Sequence, residues 1–185
     1  MKVVRKMTIN FVDAVKNGML KEVWELYYGA FPEQERKSPE LIEKKYDEGK
    51  VDIIAVTDEV GKFVGELITV KQGALVLLDY FAVTPETRGA GIGSAALAKL
   101  RDEYHGKKLI LEIESTRVPS DNAEQRERRK RFYVSNGLTS LDWEVILFGV
   151  RMEIMTFGQD LDFDSYHEIY SKVFDKKIAD NVKLV

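Results

Sequence analysis

Hydrophobic positions along the chain alternate between a period of two and a period near 3.6, and each switch marks a new element. Met7 to Val12 predicts a first strand, and Leu20, Val23, Trp24, Tyr27 and Phe31 then recur every three or four positions, predicting a helix closed by Pro32. Ser38-Pro39-Glu40 reads as an N-cap with proline at the first helical position, so a short helix is expected to about Asp47, ended by Gly49. Val51 to Thr57 and Lys62 to Val70 are β-rich runs joined by Asp58-Glu59-Val60-Gly61, which predicts a hairpin. Leu75 to Val83 is apolar on both faces, as a covered central strand should be. Ile92, Ala96, Leu97, Leu100 and Tyr104 form a helical stripe ended by Gly106, and Lys108 to Glu114 alternates as a strand, so these segments form a βαβ unit. A helix is expected from Ala123 to Asn136, strands near Leu138 to Trp143 and Val150 to Phe157, and a last amphipathic helix carrying Phe163, Tyr166, Tyr170, Val173 and Phe174, capped by Asp162 or Asp164. The pattern is α+β, with a mixed, mostly antiparallel central sheet flanked by helices, over one domain of residues 1–185.

Composition narrows the function classes. The 28 Lys+Arg and 31 Asp+Glu give a net charge of −3, so neither a polybasic nucleic-acid binder nor an acidic tail is expected. The 185 residues contain no cysteine, which removes thiol nucleophiles, thiolate metal sites and disulfides, and fits a cytoplasmic setting. The N-terminus lacks the apolar core of a signal peptide, and Ala74 to Leu78 is far shorter than a membrane span, so no membrane partner is expected.

The chemistry concentrates in Val83-Thr84-Pro85-Glu86-Thr87-Arg88-Gly89-Ala90-Gly91-Ile92-Gly93-Ser94, between a buried strand and a helix. Alternate glycines let the backbone turn sharply and approach a ligand, and the helix start leaves N–H groups without intrahelical partners, which favours a phosphate or pyrophosphate. A Walker loop requires Gly-Lys-Ser/Thr, absent here. A dinucleotide fingerprint requires a G-x-G-x-x-G spacing directly after the strand, which Gly89, Gly91 and Gly93 do not give, although Glu112 lies at about the right distance. That reading stays as a minor alternative.

The series Val83, Pro85, Arg88, Gly89, Gly91, Gly93 resembles the acyl-CoA signature of the GNAT-type N-acetyltransferase superfamily, whose core is Arg/Gln-x-x-Gly-x-Gly/Ala. Arg88, Gly91 and Gly93 match that core, and the element order matches over roughly Met7 to Phe157; the helix from about Asp162 reads as an extension. The resemblance implies a V-shaped sheet with acetyl-CoA in the opening, and an N-acetyltransferase moving an acetyl group to a primary amine of a small molecule or peptide, by direct transfer in a ternary complex. It assigns the cofactor to Phe81, Ala82, Val83, Arg88, Gly89, Ala90, Gly91, Ile92, Gly93 and Ser94, with a backbone N–H near Val83 as the oxyanion donor. A degenerate acyl-CoA-binding or regulatory module is the alternative, and a homodimer is compatible with either.

An amine near pKa 10 is mostly protonated at neutral pH, so direct transfer needs a proton acceptor, and the departing thiolate needs a donor. By resemblance the acceptor is Glu112, which shares a strand face with Glu114 in Leu111-Glu112-Ile113-Glu114; both could instead be solvated, or one could pair with Arg117. Asp79 and Glu66 are reserve carboxylates on neighbouring strands. Phe132-Tyr133-Val134-Ser135-Asn136-Gly137-Leu138 resembles the family's Phe-Tyr-x-x-x-Gly-Phe helix end and makes Tyr133 the donor, against the plainer reading of a core tyrosine. Relatives often carry Asn seven residues before that tyrosine to contact the cofactor; here Arg126 stands there, with Asn122 further back.

Other features read as structural. The run Arg126 to Arg131 is interrupted by Glu127 and has no interleaved aromatics, so no nucleic-acid partner is expected. Asp160 to Asp164 imitates the start of a calcium loop but has Ser165 and Ser171 where Gly and Glu are required, and His105 and His167 lack ligand spacing, so no metal is expected. Glu33 and Glu35, following the first helix, could form an anionic lip for a cationic acceptor.

Overall fold

A computed structural model describes residues 8–185 and places strands and helices in the order β1 (Asn10–Asp13), α1 (Leu20–Ala30), α2 (Pro39–Asp47), β2 (Val51–Thr57), β3 (Phe63–Gln72), β4 (Leu75–Val83), α3 (Ile92–Glu103), β5 (Lys108–Glu114), α4 (Ala123–Ser135), β6 (Thr139–Leu147), β7 (Val150–Thr156), α5 (Phe163–Val173), α6 (Lys176–Ala179) and β8 (Val182–Leu184). The strands are hydrogen-bonded in the order β1-β2-β3-β4-β5-β7-β6-β8, in an α+β fold. Met7, in the first expected strand, lies outside the described residues. No helix among the described residues is long and apolar enough to cross a membrane.

The chain forms two compact units, one holding the chain to Thr69 with Asp79–Glu103, the other Val70–Leu78 with Tyr104–Val185. In the first unit β1 lies antiparallel to β2, from Asn10↔Thr57 to Asp13↔Ile54. Ser38 caps α2, its hydroxyl accepting from the Leu41 N–H at 3.3 Å, with Pro39 behind it. The β2–β3 turn is closed by Asp58, whose carboxylate accepts from the N–H groups of Val60 and Lys62 at 3.0 and 2.9 Å. Tyr27 of α1 is fully buried and packs edge-on against Tyr80 of β4 at 4.7 Å, with Phe31 also on Tyr80. After Pro32 the chain makes a single 3-10 turn over Glu33–Glu35.

In the second unit the first residues of β4 run parallel to β5, from Leu75↔Lys108 to Leu78↔Leu111, as the βαβ pattern predicts. β7 then lies antiparallel to β5, and β6 to β7. The β6–β7 hairpin closes through Phe148 and Gly149, both with positive φ (49° and 86°), the conformation that matches strand twist in a two-residue turn. Sequence periodicity does not reveal α6 or β8; the short β8 covers the β6 edge through Val145↔Leu184 to Leu147↔Val182. Asp162, not Asp164, caps α5, accepting from the Ser165 N–H at 2.8 Å.

Two carboxylates are buried in this second unit, and both are paired. Glu144 receives Ser115 and the Arg151 guanidinium. Glu153, with no exposed surface, receives Lys130 at 2.7 Å, Ser140 at 2.7 Å, and both the N–H and hydroxyl of Thr116. Burial alone would raise the Glu153 pKa, but these donors outweigh it and hold the carboxyl at about 2 instead of 4.5. Its stabilisation is therefore present above about pH 4.5 and lost as pH falls toward 2, worth about 3 kcal/mol at one pKa unit per 1.36 kcal/mol. We expect Glu153→Gln to lower urea-unfolding stability at pH 7 by about that amount, and the gap to wild type to shrink markedly at pH 3. A pH-independent gap is the contrary result.

Candidate active site

The turn that joins β4 to α3 is built from its residues outward. At the end of β4 the Thr84 N–H donates to the Val64 carbonyl at 3.0 Å, and the Thr84 and Thr87 hydroxyls bond each other at 2.8 Å across a 3-10 turn at Pro85–Thr87. Arg88 is then extended, and Gly89 and Gly91 follow with φ of +80° and +85°. Any other residue would be strained in that left-handed conformation. A Cβ at either glycine would meet nothing within 4 Å, and Arg88 to Gly91 are exposed, so the turn is open to a ligand. The Ala95 N–H donates to the Gly91 carbonyl at 3.0 Å as the first helical bond, so the preceding N–H groups at the start of α3 have no intrahelical acceptor. Phe81, Ala82 and Val83 lie in β4 directly before the turn.

Gly65 of β3, which sequence reasoning passed over, has a second requirement. A Cβ there would stand 2.7 Å from the Ala82 carbonyl oxygen, so glycine alone lets β3 approach this part of β4. The next residue, Glu66, is fully buried and neither carboxyl oxygen has a hydrogen-bond partner among the described residues. Desolvation pushes its pKa well above 4.5. Asp79, the other reserve carboxylate, receives the Lys37 ammonium on both oxygens at 2.9 Å, with Lys37 13% and Asp79 5% exposed at the side chain. The backbone of that loop is tied to the same strand: Tyr80 receives the Lys37 N–H and donates to the Glu35 carbonyl, each at 2.9 Å. The pairing answers the cost of a carboxylate in an apolar run.

In the second unit, Tyr133 sits on α4 against Phe132, ring centroids 5.2 Å apart, and no described residue hydrogen-bonds its hydroxyl. Desolvation, partly opposed by the Arg129 charge, pushes its pKa up to about 12. It is therefore a hydroxyl donor throughout the neutral range. Glu112 on β5 accepts from the Tyr166 and Tyr170 hydroxyls of α5, both at Oε1 and both at 2.5 Å. Glu114 pairs with Arg126 at 2.9 Å and Arg129 at 3.2 Å, not with Arg117, which instead lies 3.8 Å from Glu144. Asn122 and Arg126 are engaged internally as well: Arg126 donates to Asn122 Oδ1 at 2.7 Å and to the Ser115 carbonyl at 3.1 Å. The basic run of α4 is thus partly consumed in fixing the helix to β5 and β7. Tyr166 and Tyr170, read from the sequence only as an apolar stripe, carry polar hydroxyls onto Glu112; their i,i+4 spacing was the available signal.

Comparison with known proteins identifies the family and the fold. The profile of the Acetyltransferase (GNAT) family matches residues 19–132, most of the chain, which therefore belongs to that family of acyltransferases. A protein from Bacteroides thetaiotaomicron assigned to the GNAT family superposes with a TM-score of 0.70 at 20% identity, covering 94% of this chain and 99% of that one. An aminoglycoside 6'-N-acetyltransferase in complex with coenzyme A gives 0.63 at 18%, covering 84% and 100%. A chimera of the Vibrio cholerae spermidine N-acetyltransferase SpeG with hSSAT gives 0.62 at 15%, covering 82% and 94%. Curated protein sequences contain no match.

The unpartnered Glu66 makes a stability test possible. Because its pKa is raised in the folded protein, its contribution is fully present below about pH 4.5 and is lost as pH rises, by up to about 1.4 kcal/mol per pH unit until the carboxyl ionises in the fold as well. Glu66→Gln, which cannot ionise, should gain on the wild type between pH 5 and pH 8 in urea unfolding; parallel profiles would contradict the assignment.

Proposed function

We propose that this GNAT-family protein is an N-acetyltransferase that moves an acetyl group from acetyl-CoA to a primary amine. The observation that carries the reading is the β4–α3 turn: exposed Arg88, two left-handed glycines and free helix-start N–H groups fit an anionic pyrophosphate. Phe81, Ala82 and Val83 would hold the pantetheine arm through their backbone, and Arg88 to Ser94 the phosphates. The bound donor supplies an activated thioester.

The roles of the chain's own groups follow from proton balance. As the nitrogen–carbon bond forms and the carbon–sulfur bond breaks, the electron pair leaves with sulfur and the nitrogen gives up a proton. Glu112 receives that proton. Tyr133 would offer its hydroxyl to the sulfur of a bound donor; with a pKa of about 12, well above a thiol near 8.5, it would act as a hydrogen-bond donor to the thiolate more readily than by complete proton transfer. The absence of cysteine leaves no thiol acyl-enzyme, in keeping with direct transfer in a ternary complex. The named activities of the aminoglycoside and spermidine enzymes, both acting on amines, support an amine acceptor of that kind.

Two variants test the reading. Tyr133→Phe should lower kcat by about 10–100-fold, within the usual reach of a positioned donor, while acetyl-CoA still raises the melting temperature as in wild type. Arg88→Ala should weaken acetyl-CoA binding by roughly tenfold, measured by calorimetry. A protein that binds acetyl-CoA yet acetylates neither spermidine, an aminoglycoside nor an alanyl peptide would point instead to a module that has lost turnover.

A further inference from the structure

The C-terminal helix α5 lies beyond residues 19–132, the stretch that the family profile matches, yet it places two hydroxyls on a carboxylate of β5. Tyr166 and Tyr170 are one helical turn apart and both fully buried. Their rings are fixed by packing: Tyr166 against Trp143 at 5.7 Å and Phe163 at 6.3 Å, Tyr170 against Tyr166 at 5.6 Å and Phe174 at 6.2 Å. Trp143 is itself held by a 3.0 Å bond from its indole N–H to the Leu161 carbonyl, just before the Asp162 cap. The two phenols are thus aimed at Glu112 by rigid surroundings, and both converge on Oε1.

We propose that α5 is a working part of the transfer site, with Tyr166 and Tyr170 as positioning residues that orient the Glu112 carboxylate and set its strength as a base. The proposal rests on the reading of Glu112 as proton acceptor. A hydroxyl that donates to a carboxylate stabilises its charged form, and buried donors do so with little screening by water. Two such donors on one oxygen favour the ionised form of the Glu112 carboxyl and restrict its orientation. Among the described residues, several neighbouring charged groups have partners of their own. Glu114 on the same strand is paired with Arg126 and Arg129 of α4. Glu153 on β7 aligns with Ile113, not Glu112, and is held by Lys130. His167 of α5 contacts the Ala179 carbonyl at 3.0 Å.

The test is a carbon-13 carboxyl titration of glutamate-labelled protein, with Glu112→Gln assigning the resonance, in wild type, Tyr166→Phe, Tyr170→Phe and the double variant. Phenylalanine keeps the ring packing and removes only the hydroxyl. The Glu112 midpoint should rise by about one pH unit per hydroxyl removed, and the acidic limb of kcat/KM, with spermidine, an aminoglycoside and an alanyl peptide as probes, should rise with it. A merely structural pair of tyrosines would lower the melting temperature without moving either pH value. Uniform 3-fluorotyrosine, whose phenols are stronger donors of nearly the same size, should move the midpoint the other way, and this measurement remains available if a phenylalanine variant does not fold. An unmoved midpoint in the double variant and in the fluorinated protein overturns the role of α5. Full activity of Glu112→Gln overturns the reading of Glu112 itself, whatever the titration gives.

Discussion

Parallel strands cannot be joined by a hairpin, and this constraint organises the chain. β4 and β5 pair in parallel over Leu75–Leu78 and Lys108–Leu111, so the polypeptide must leave the end of β4, cross over as a helix and return. The exit turn has to reverse direction within a few residues, and it does so with Gly89 and Gly91 in a conformation that only glycine takes without strain. The same turn begins α3, leaving backbone donors exposed beside Arg88. The backbone that closes the crossover is therefore the same piece that we propose receives an anion, and a substitution at Gly91 would disturb it.

Carboxylates wholly or partly withdrawn from water show a second constraint, answered in four ways. Glu153 has ammonium, hydroxyl and amide donors and is held far below the ordinary range. Asp79 is matched by a single ammonium, Lys37, whose loop is also tied to Tyr80. Glu112 receives two phenol hydroxyls, both on Oε1, which orient the carboxylate. Glu66 receives nothing from the described residues and is driven toward its neutral form. Since the cost of burying charge depends on its partners, Glu153 and Glu66 should respond to pH in opposite directions although they are chemically alike.

Much of this was legible in the sequence because the signals were local. The βαβ unit, the Ser38 and Asp162 caps and the hairpin turn at Asp58 are set by residues within a few positions of one another, and the fold class follows from their order. The Gly-rich turn was equally local. Pairings across long separations were not legible: nothing near Lys37 announces Asp79 forty-two positions away, and nothing near Glu112 announces Tyr170 fifty-eight positions on. The alternation on β5 placed Glu112 and Glu114 on one face but could not say that the first would meet phenols and the second guanidiniums. β8 escaped notice for another reason, since a three-residue strand leaves too little pattern to detect.

The C-terminal segment joins these points. A strand edge left open at β6 would invite pairing with another chain, and β8 covers part of it, so the segment that follows α5 is anchored. α6, capped by Asp175, and the His167 contact to Ala179 fix the path between helix and strand. An α5 held at both ends, by the Trp143 bond before its first turn and by β8 after its last, has little freedom to withdraw Tyr166 and Tyr170 from Glu112. Orientation of a carboxylate by hydrogen bonds is only as good as the rigidity of the donors, and here that rigidity comes from strand pairing and aromatic packing well away from the carboxylate itself.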